Sequence, residues 1–520
     1  MIPTSTSFRD PAGSCCLLGG RVLRKLSAES AVEVEKFLQT HCARAFAARR
    51  QLVTTRRLEP AEADALCQSP DARLLFAAQR PDALFEHERI AFQSYPYEWP
   101  PEMLWEAGRL TLELAQASLQ DGYGLKDATP YNVLFRGPEA VFIDVPSFTP
   151  RRAGDPVWLP YAQFVRTFLL PLLANRRWGL PLAAVFTCRR DGLEPQEVYR
   201  LCSGWERLKP QILSLVCLPT WLRGRAGSQD QRLYQERTLA DAEKARFIVE
   251  SLLKQLQRAL DSLKPSTNQE SVWSDYMGSH SYSEPAFAAK EQFVETLLAE
   301  CKPRRVLDVG ANTGHFSARA AKAGAGVVAL DFDPVCVGAL WQRAHAEKLN
   351  ILPLVVDLAR PSPALGWRCQ ECASFLDRSA GAFDGVLMLA VIHHLLVTER
   401  IPLEEILRLA AELTTSWVVV EFVAPQDPMF RQLTRGRDQL HADLNEAAFE
   451  RACAEHFEII GSLPLPGTHR RLYALKRKGA EADALGRLSA PGAFGATLIQ
   501  ARTRLTAFSA TSPNCSRYEG

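Results

Sequence analysis

The sequence lacks a hydrophobic run long enough to cross a bilayer. Its longest, FLLPLLA from Phe168, falls far short of a span. The opening MIPTSTSFRDPAGSCCLLGG has neither the basic flank nor the sustained apolar stretch of a secretory leader. Charge of neither sign dominates: 61 Lys and Arg face 59 Asp and Glu, a net +2. That balance gives no clear signal for nucleic acid. The thirteen cysteines are scattered and odd in number, which argues against a disulfide framework and for a reducing compartment. No internal repeat is visible. These absences lead us to expect a cytoplasmic protein without a membrane span.

With 520 residues, the chain is too long for one core. We expect a disordered N-terminus over 1–14, a mainly helical α+β domain over 15–263 and a linker over 264–284. A second domain should follow over 285–478, and a disordered tail over 479–520. The linker is polar and broken by proline and glycine, and the tail is rich in Gly, Ala, Ser and Thr. In the N-terminal domain, PEMLWEAGRLTLELAQASLQ (101–120) has helical apolar spacing, and WLPYAQFVRTFLLPLLANRRW reads as one or two buried helices. NVLF and AVFI read as strands. From 286 the pattern changes. A helix over 286–301 leads to strands RVLDV, VVAL, ILPLVV, FDGVLML and SWVVVEFV, separated by helical stretches, and then to a hairpin from HFEIIGSLPL and HRRLYALKRK. This alternation predicts an α/β fold around a mostly parallel sheet covered on both faces.

RVLDVGANTGHFS (305–317) places an apolar strand before a glycine turn and a helix. Gly310 and Gly314 permit a tight turn and close approach of a ligand. Asp331 ends the next strand, where a carboxylate can accept both hydroxyls of a ribose. Asp357 ends the third strand, and LMLAVIHHLL follows the fourth, at the edge where open α/β sheets bind ligands. These residues resemble the class I S-adenosylmethionine-dependent methyltransferases. The resemblance implies a Rossmann-like domain with a mostly parallel seven-stranded sheet, and S-adenosyl-L-methionine as cofactor. Asp308, Gly310, Asn312 and Gly314 would line its methionine end. Asp331 would hold the ribose, with Phe332 beside the adenine, and Asp357, Leu358 and Leu389 would complete the pocket. Asn312 stands where many members have a middle glycine. A nicotinamide site is the weaker reading, because the second glycine of G-x-G-x-x-G is missing.

Methyl transfer needs alignment and, for a protonated acceptor, a base. His393 and His394 lie beyond the fourth strand, and imidazole titrates near neutrality, so both are candidates either for a base or for packing against the cofactor. Glu421 ends the fifth strand, where it would act directly, orient a histidine or cap the strand end. CQEC (369–372) is a single C-x-x-C without a second pair, so we expect no metal. The Asn/Asp-Pro-Pro-aromatic signature of exocyclic-amine methylation is missing after strand four. The segments 359–382 and 424–445 are expected to cover the acceptor. Their arginines, Arg360, Arg368, Arg431, Arg435 and Arg437, hint at an anionic one.

One stretch of the N-terminal part belongs to different chemistry. LKDATPYNVLFRGPEAVFIDVPSF (125–148) puts Asn132 five positions after Asp127 and Asp144 twelve after Asn132. That resembles the catalytic-loop and metal-binding segments of the aminoglycoside phosphotransferase and protein kinase fold, and implies a degenerate kinase-like module. The departures are Leu125 in place of a histidine, no glycine-rich loop and no strand lysine; GGRVLRKL (19–26) is the nearest substitute. The alternative is that Asp127 and Asn132 organise a turn and Asp144 caps one. The whole layout also resembles a bacterial family that includes a rhizobial host-range nodulation protein. We therefore expect a methyltransferase acting on a small-molecule or glycan-type acceptor. The alternatives are a cofactor-sensing binding or regulatory protein, or a bifunctional enzyme that also transfers phosphate.

Overall fold

A computed structural model describes residues 4–5, 13–75, 81–225, 238–266 and 282–480. The expected linker and tail fall largely outside these residues, as does most of 1–14.

The N-terminal part contains more sheet than its sequence suggests. Strands β1 (Thr4–Ser5), β2 (Gly13–Leu18), β3 (Arg21–Leu26), β4 (Thr55–Arg57) and β5 (Ala83–His87) form an antiparallel sheet in the order β1-β2-β3-β5-β4. Gly19 and Gly20, both at positive φ, close the β2–β3 hairpin. Helix α1 (Ala28–Leu38) follows β3 and is capped by the Ser27 hydroxyl. The expected helix at 101–120 is present as α2 (Pro101–Gln120). Its buried stripe includes Met103, Leu104, Ala107, Leu110 and Leu114. At Gly108 a Cβ would stand 3.1 Å from Phe168 and 3.4 Å from Leu260, so the missing side chain lets two neighbouring segments approach. NVLF and AVFI form a hairpin, β7 (Val133–Arg136) with β8 (Glu139–Phe142), next to the pair β6 (Tyr123–Leu125) and β9 (Phe148–Pro150). Helix α3 (Ala242–Asp261) packs on α2, and Trp105 Nε1 donates to Leu260 O at 3.0 Å.

The C-terminal part is the expected α/β unit. Helix α4 (Glu284–Cys301) leads into β10 (Arg305–Val309), α5 (His315–Lys322), β11 (Gly326–Asp331), α6 (Pro334–Glu347) and β12 (Ile351–Val355). Strands β13 (Phe383–Met388) and β14 (Thr414–Val423) follow, joined by α7 (Leu403–Leu413). A short helix α8 (Pro428–Thr434) and α9 (Glu446–His456) precede the hairpin β15 (Phe457–Pro464) and β16 (Arg470–Arg477). The sheet runs β12-β11-β10-β13-β14-β16-β15, and β16 alone runs antiparallel to the rest. Its strands read as continuous apolar runs because both faces are covered. The order reverses at β10, which opens a crevice at its carboxyl end.

The two parts share one hydrophobic core, which runs from Phe37 and Phe142 through Trp341 and Phe383 to Tyr473. Trp341 of α6 donates its indole N–H to Pro138 O at 3.0 Å. Arg378 is buried among Phe92, Tyr95 and Phe375, and forms an ion pair with the fully buried Glu98. Glu102, at the start of α2, lies against Gly338 of α6, where a Cβ would meet its carboxylate at 2.5 Å.

Candidate functional site

Register brings the predicted residues to one edge. Val309 pairs with Leu330 and with Met388, and Met388 with Val420. One residue further along each strand stand Gly310, Asp331, Leu389 and Glu421, in a row across the carboxyl end of the sheet. Gly310 (φ +69) has Val391 Cγ2 2.5 Å from where a Cβ would sit, and Gly314 (φ +79) has Leu340 Cδ1 at 2.1 Å. Both glycines are therefore required by backbone and by space. Asn312 adopts φ +51, a left-handed conformation that asparagine tolerates, and its Oδ1 accepts the Thr313 N–H at 2.7 Å. That accounts for an asparagine where a glycine was expected.

Asp331 is buried at its rim, with Oδ2 accepting from Asn312 N at 2.8 Å and Oδ1 from Asp333 N at 3.0 Å. Burial raises its pKa, and these backbone donors oppose the rise. These bonds, with the Phe332 N–H as a third donor, fix the carboxylate in place. Phe332, next in sequence, is an exposed ring. Asp308 is buried and accepts the Ser317 hydroxyl at 2.5 Å; burial pushes its pKa up to about 7. Asp357 accepts Ala359 N at 2.9 Å and pairs with Arg360 at 2.7 Å, while Leu358 is buried.

Beyond β13 the chain passes through Ala390 at φ +55, a strained position for a residue with a Cβ. It then makes a π-helical turn, His394–Thr398, a geometry frequent at functional sites. The His393 and His394 rings lie 4.2 Å apart. His393 is almost fully buried, its Nδ1 has no hydrogen-bond partner, and burial drives its pKa down to about 3. His394 is half-buried and also shifted down by burial, with Arg470 adding to the shift. Both rings are neutral near pH 7.

Glu421 has no exposed surface, so no acceptor can reach it in this arrangement. Instead Tyr282 donates its hydroxyl to Oε1 at 2.5 Å, Lys290 reaches Oε2 at 2.6 Å, and Arg470 stands 3.3 Å from Oε1. Arg470 also holds Asp427 at 2.8 Å. Burial alone would raise the pKa of Glu421, but Lys290 and Arg470 outweigh it and hold the carboxyl at about 2. Of the three roles read for Glu421, direct action does not fit this burial, whereas anchoring its neighbours does. Tyr282, Lys290 and Arg470 were missed from sequence. The only signal was a lysine inside an otherwise apolar helix face, at Lys290 of α4.

A cleft of about 300 Å³ opens beside the π-helical turn, lined by Leu396, Val397, Arg400, Ile401, Arg437 and His441 among others. Of the arginines singled out above, Arg437 lines it, whereas Arg360 is engaged by Asp357 and Glu399.

In the N-terminal part, Asn132 and Asp144 sit on adjoining turns, and Ile143 N donates to Asn132 O at 2.9 Å. Asp127 is exposed and accepts weakly from Gln163 at 3.4 Å. Asp144 forms an ion pair with Arg24 of β3 at 2.9 Å. Arg24 lies within GGRVLRKL, the nearest substitute for the glycine-rich loop and strand lysine. Here an arginine faces inward from that strand and already neutralises the aspartate that would bind metal.

Comparison with known proteins places this geometry. A methyltransferase-domain family model matches residues 282–462. Over 91% of its length the chain is 31% identical to the nodulation protein NoeA of Rhizobium meliloti, covering 95% of that protein. The chain belongs to the NoeA family. It is also 26% identical to the O-antigen chain terminator bifunctional methyltransferase/kinase WbdD of Escherichia coli, over 34% of this chain and 23% of WbdD. Among solved structures, magnesium protoporphyrin IX methyltransferase from Synechocystis with bound SAH is 21% identical, with a TM-score of 0.29. That match covers 40% of this chain and 92% of the other. This NoeA relative is an S-adenosylmethionine-dependent methyltransferase.

Proposed function

We propose that the C-terminal unit, 285–478, holds S-adenosylmethionine along the row Gly310–Asp331–Leu389 and methylates a small-molecule or glycan-type acceptor. The observation that carries the reading is the glycine cradle next to a buried, backbone-fixed carboxylate. The two glycines, packed against Val391 and Leu340, hold the turn that follows Asp308 and carries Asn312 beside the methionine end. Asp331 accepts from the ribose, with the exposed Phe332 ring beside the adenine, and Leu358 and Asp357 close the far side. The cofactor supplies an electrophilic methyl group on a sulfonium centre. The chain supplies alignment and, for an acceptor bearing a proton, a place for that proton.

The acceptor enters through the cleft beside the π-helical turn. His393, neutral and with an orphaned Nδ1, orients the accepting heteroatom, and His394, more accessible, takes up its proton. Glu421, Lys290, Tyr282 and Arg470 act as positioning residues beneath them. Arg400 and Arg437 at the cleft favour an acceptor that carries negative charge. The glycan class is supported by the similarity to WbdD, an O-antigen chain terminator. The N-terminal unit, 15–263, shapes the acceptor side. Its kinase-like segment does not carry phosphotransfer in this reading, because a metal ion would have to displace Arg24 from Asp144.

The test uses S-adenosylmethionine with a tritiated methyl group, incubated with the purified chain and fractionated extract of a knockout of the source cell. Label in the glycan or small-molecule fraction, absent with Asp331→Ala, is the expected result. By calorimetry, Asp331→Ala should weaken binding of the demethylated cofactor at least about tenfold, the scale of a lost charge-assisted acceptor. Unchanged affinity would remove Asp331 from the site. His393→Ala and His394→Ala should lower turnover more than cofactor affinity.

A further inference from the structure

The densest exposed apolar surface of the described residues lies far from the methyl-transfer edge in sequence, in the N-terminal part. Leu201 ends the helix Pro195–Leu201, and Trp205 and Leu208 follow on the turn beyond it, Trp205 84% and Leu208 67% exposed. Leu213, Leu218, Trp221 and Leu222 lie on the helical segments that run from Pro210 to Arg225, each more than 40% exposed. These elements pack on one another. Isolated exposed leucines need no explanation, but seven large apolar side chains within 22 residues do.

The exposed charged side chains among them, Arg200 and Lys209, are basic. Residues 195–222 hold three basic residues and two acidic, a net +1. Both acids are engaged locally: Glu197 by Arg189 and the Glu194 N–H, Glu206 by the Ser203 N–H at 2.8 Å. Arg200 and Lys209 are exposed at the margin of the apolar patch. A second copy of this chain would bring the same net positive charge against itself, which disfavours self-association through this face. An anionic surface complements it, and tryptophan with leucine above basic residues is the composition that rests at a lipid headgroup boundary.

We propose that the surface formed by residues 195–225 docks the protein on an anionic lipid bilayer. Trp205, Trp221 and Leu222 enter the headgroup region, and Arg200 and Lys209 meet the lipid phosphates. No helix among the described residues is long and apolar enough to cross a membrane, so the contact is peripheral. The inference stands apart from the methyltransferase assignment, which needs no membrane.

The test is co-sedimentation of the full chain with vesicles of phosphatidylcholine alone and of phosphatidylcholine mixed with phosphatidylglycerol. Binding to the mixed vesicles, weakened by added salt and at least about tenfold in Trp221→Glu, is expected. Trp205→Glu, on a separate element, should weaken it in the same way, and both variants should keep the parent Tm because these side chains are exposed. Brominated lipid should quench tryptophan emission of the unmodified chain. Three results would each overturn the proposal: no binding to mixed vesicles, binding by both variants undiminished from that of the unmodified chain, or a concentration-dependent dimer that either variant abolishes.

Discussion

Among single residues of the C-terminal part, Lys290 and Glu421 form a buried ion pair 2.6 Å apart. Burial pulls the pKa of the lysine down, and the carboxylate opposes that pull. Removing one partner leaves a charge in a dry site. Lys290→Met should therefore lower stability by about 3–5 kcal/mol in chemical denaturation. Lys290→Met with Glu421→Leu should recover part of that loss, since no lone charge remains. Additive losses would mean that the two residues do not act as a pair. What the sequence revealed at this scale follows from distance along the chain. Gly310, Gly314 and Asp331 belong to one strand–turn–helix–strand unit, so their spacing carries the information. Tyr282, Lys290 and Arg470 reach Glu421 across 139, 131 and 49 positions, and no local pattern announces such contacts.

At the level of elements, the parallel strands of the C-terminal sheet were legible because they are largely buried and mostly apolar. The N-terminal sheet was not. β4 has three residues, and β3 mixes three apolar with three basic side chains, Arg24 pairing with Asp144 and Leu23 packing in a small separate core with Leu58 and Leu84. Such strands resemble polar loops or helix turns until their partners are known. β5 carries a pH-sensitive element, His87. Its Nδ1 lies 2.8 Å from the Thr55 hydroxyl on β4, and burial, with Arg24 adding to it, lowers its pKa to about 3. A histidine shifted this way favours the neutral folded form. Stability is complete above its ordinary value near 6.5 and is lost as pH falls from there towards 3, by up to about 4 kcal/mol. His87→Gln should flatten the acid limb of a Tm-against-pH curve. An unchanged acid limb would mean that His87 is not the group responsible.

For the whole molecule, the seam between the two parts holds a titratable group with the opposite sign. Glu102 lies against Gly338 with Oε2 unpartnered, and burial raises its pKa to about 7. The protonated form fits the seam. Its contribution is fully present below the ordinary carboxyl value and is lost as pH rises through about 7, by up to about 3 kcal/mol. Glu102→Gln should raise the Tm at pH 8 and leave it nearly unchanged at pH 5. Equal shifts at both values would place the effect elsewhere. Arg378→Ala should destabilise at neutral pH by about 3–5 kcal/mol, because Glu98 would be left buried without its counter-charge.

The continuous core described above also bears on how such a protein can diversify. Halves joined only by a tether can be exchanged between genes, each carrying its own folding information. Here Trp341 reaches into the N-terminal part, and Phe92 packs on Phe375 and Phe383 from the other side. A hybrid chain would have to match that seam residue by residue before it folded. New acceptor preferences in this lineage are therefore more readily reached by substitution along the cleft and its covering loops than by shuffling of modules. The two halves are inherited as one unit.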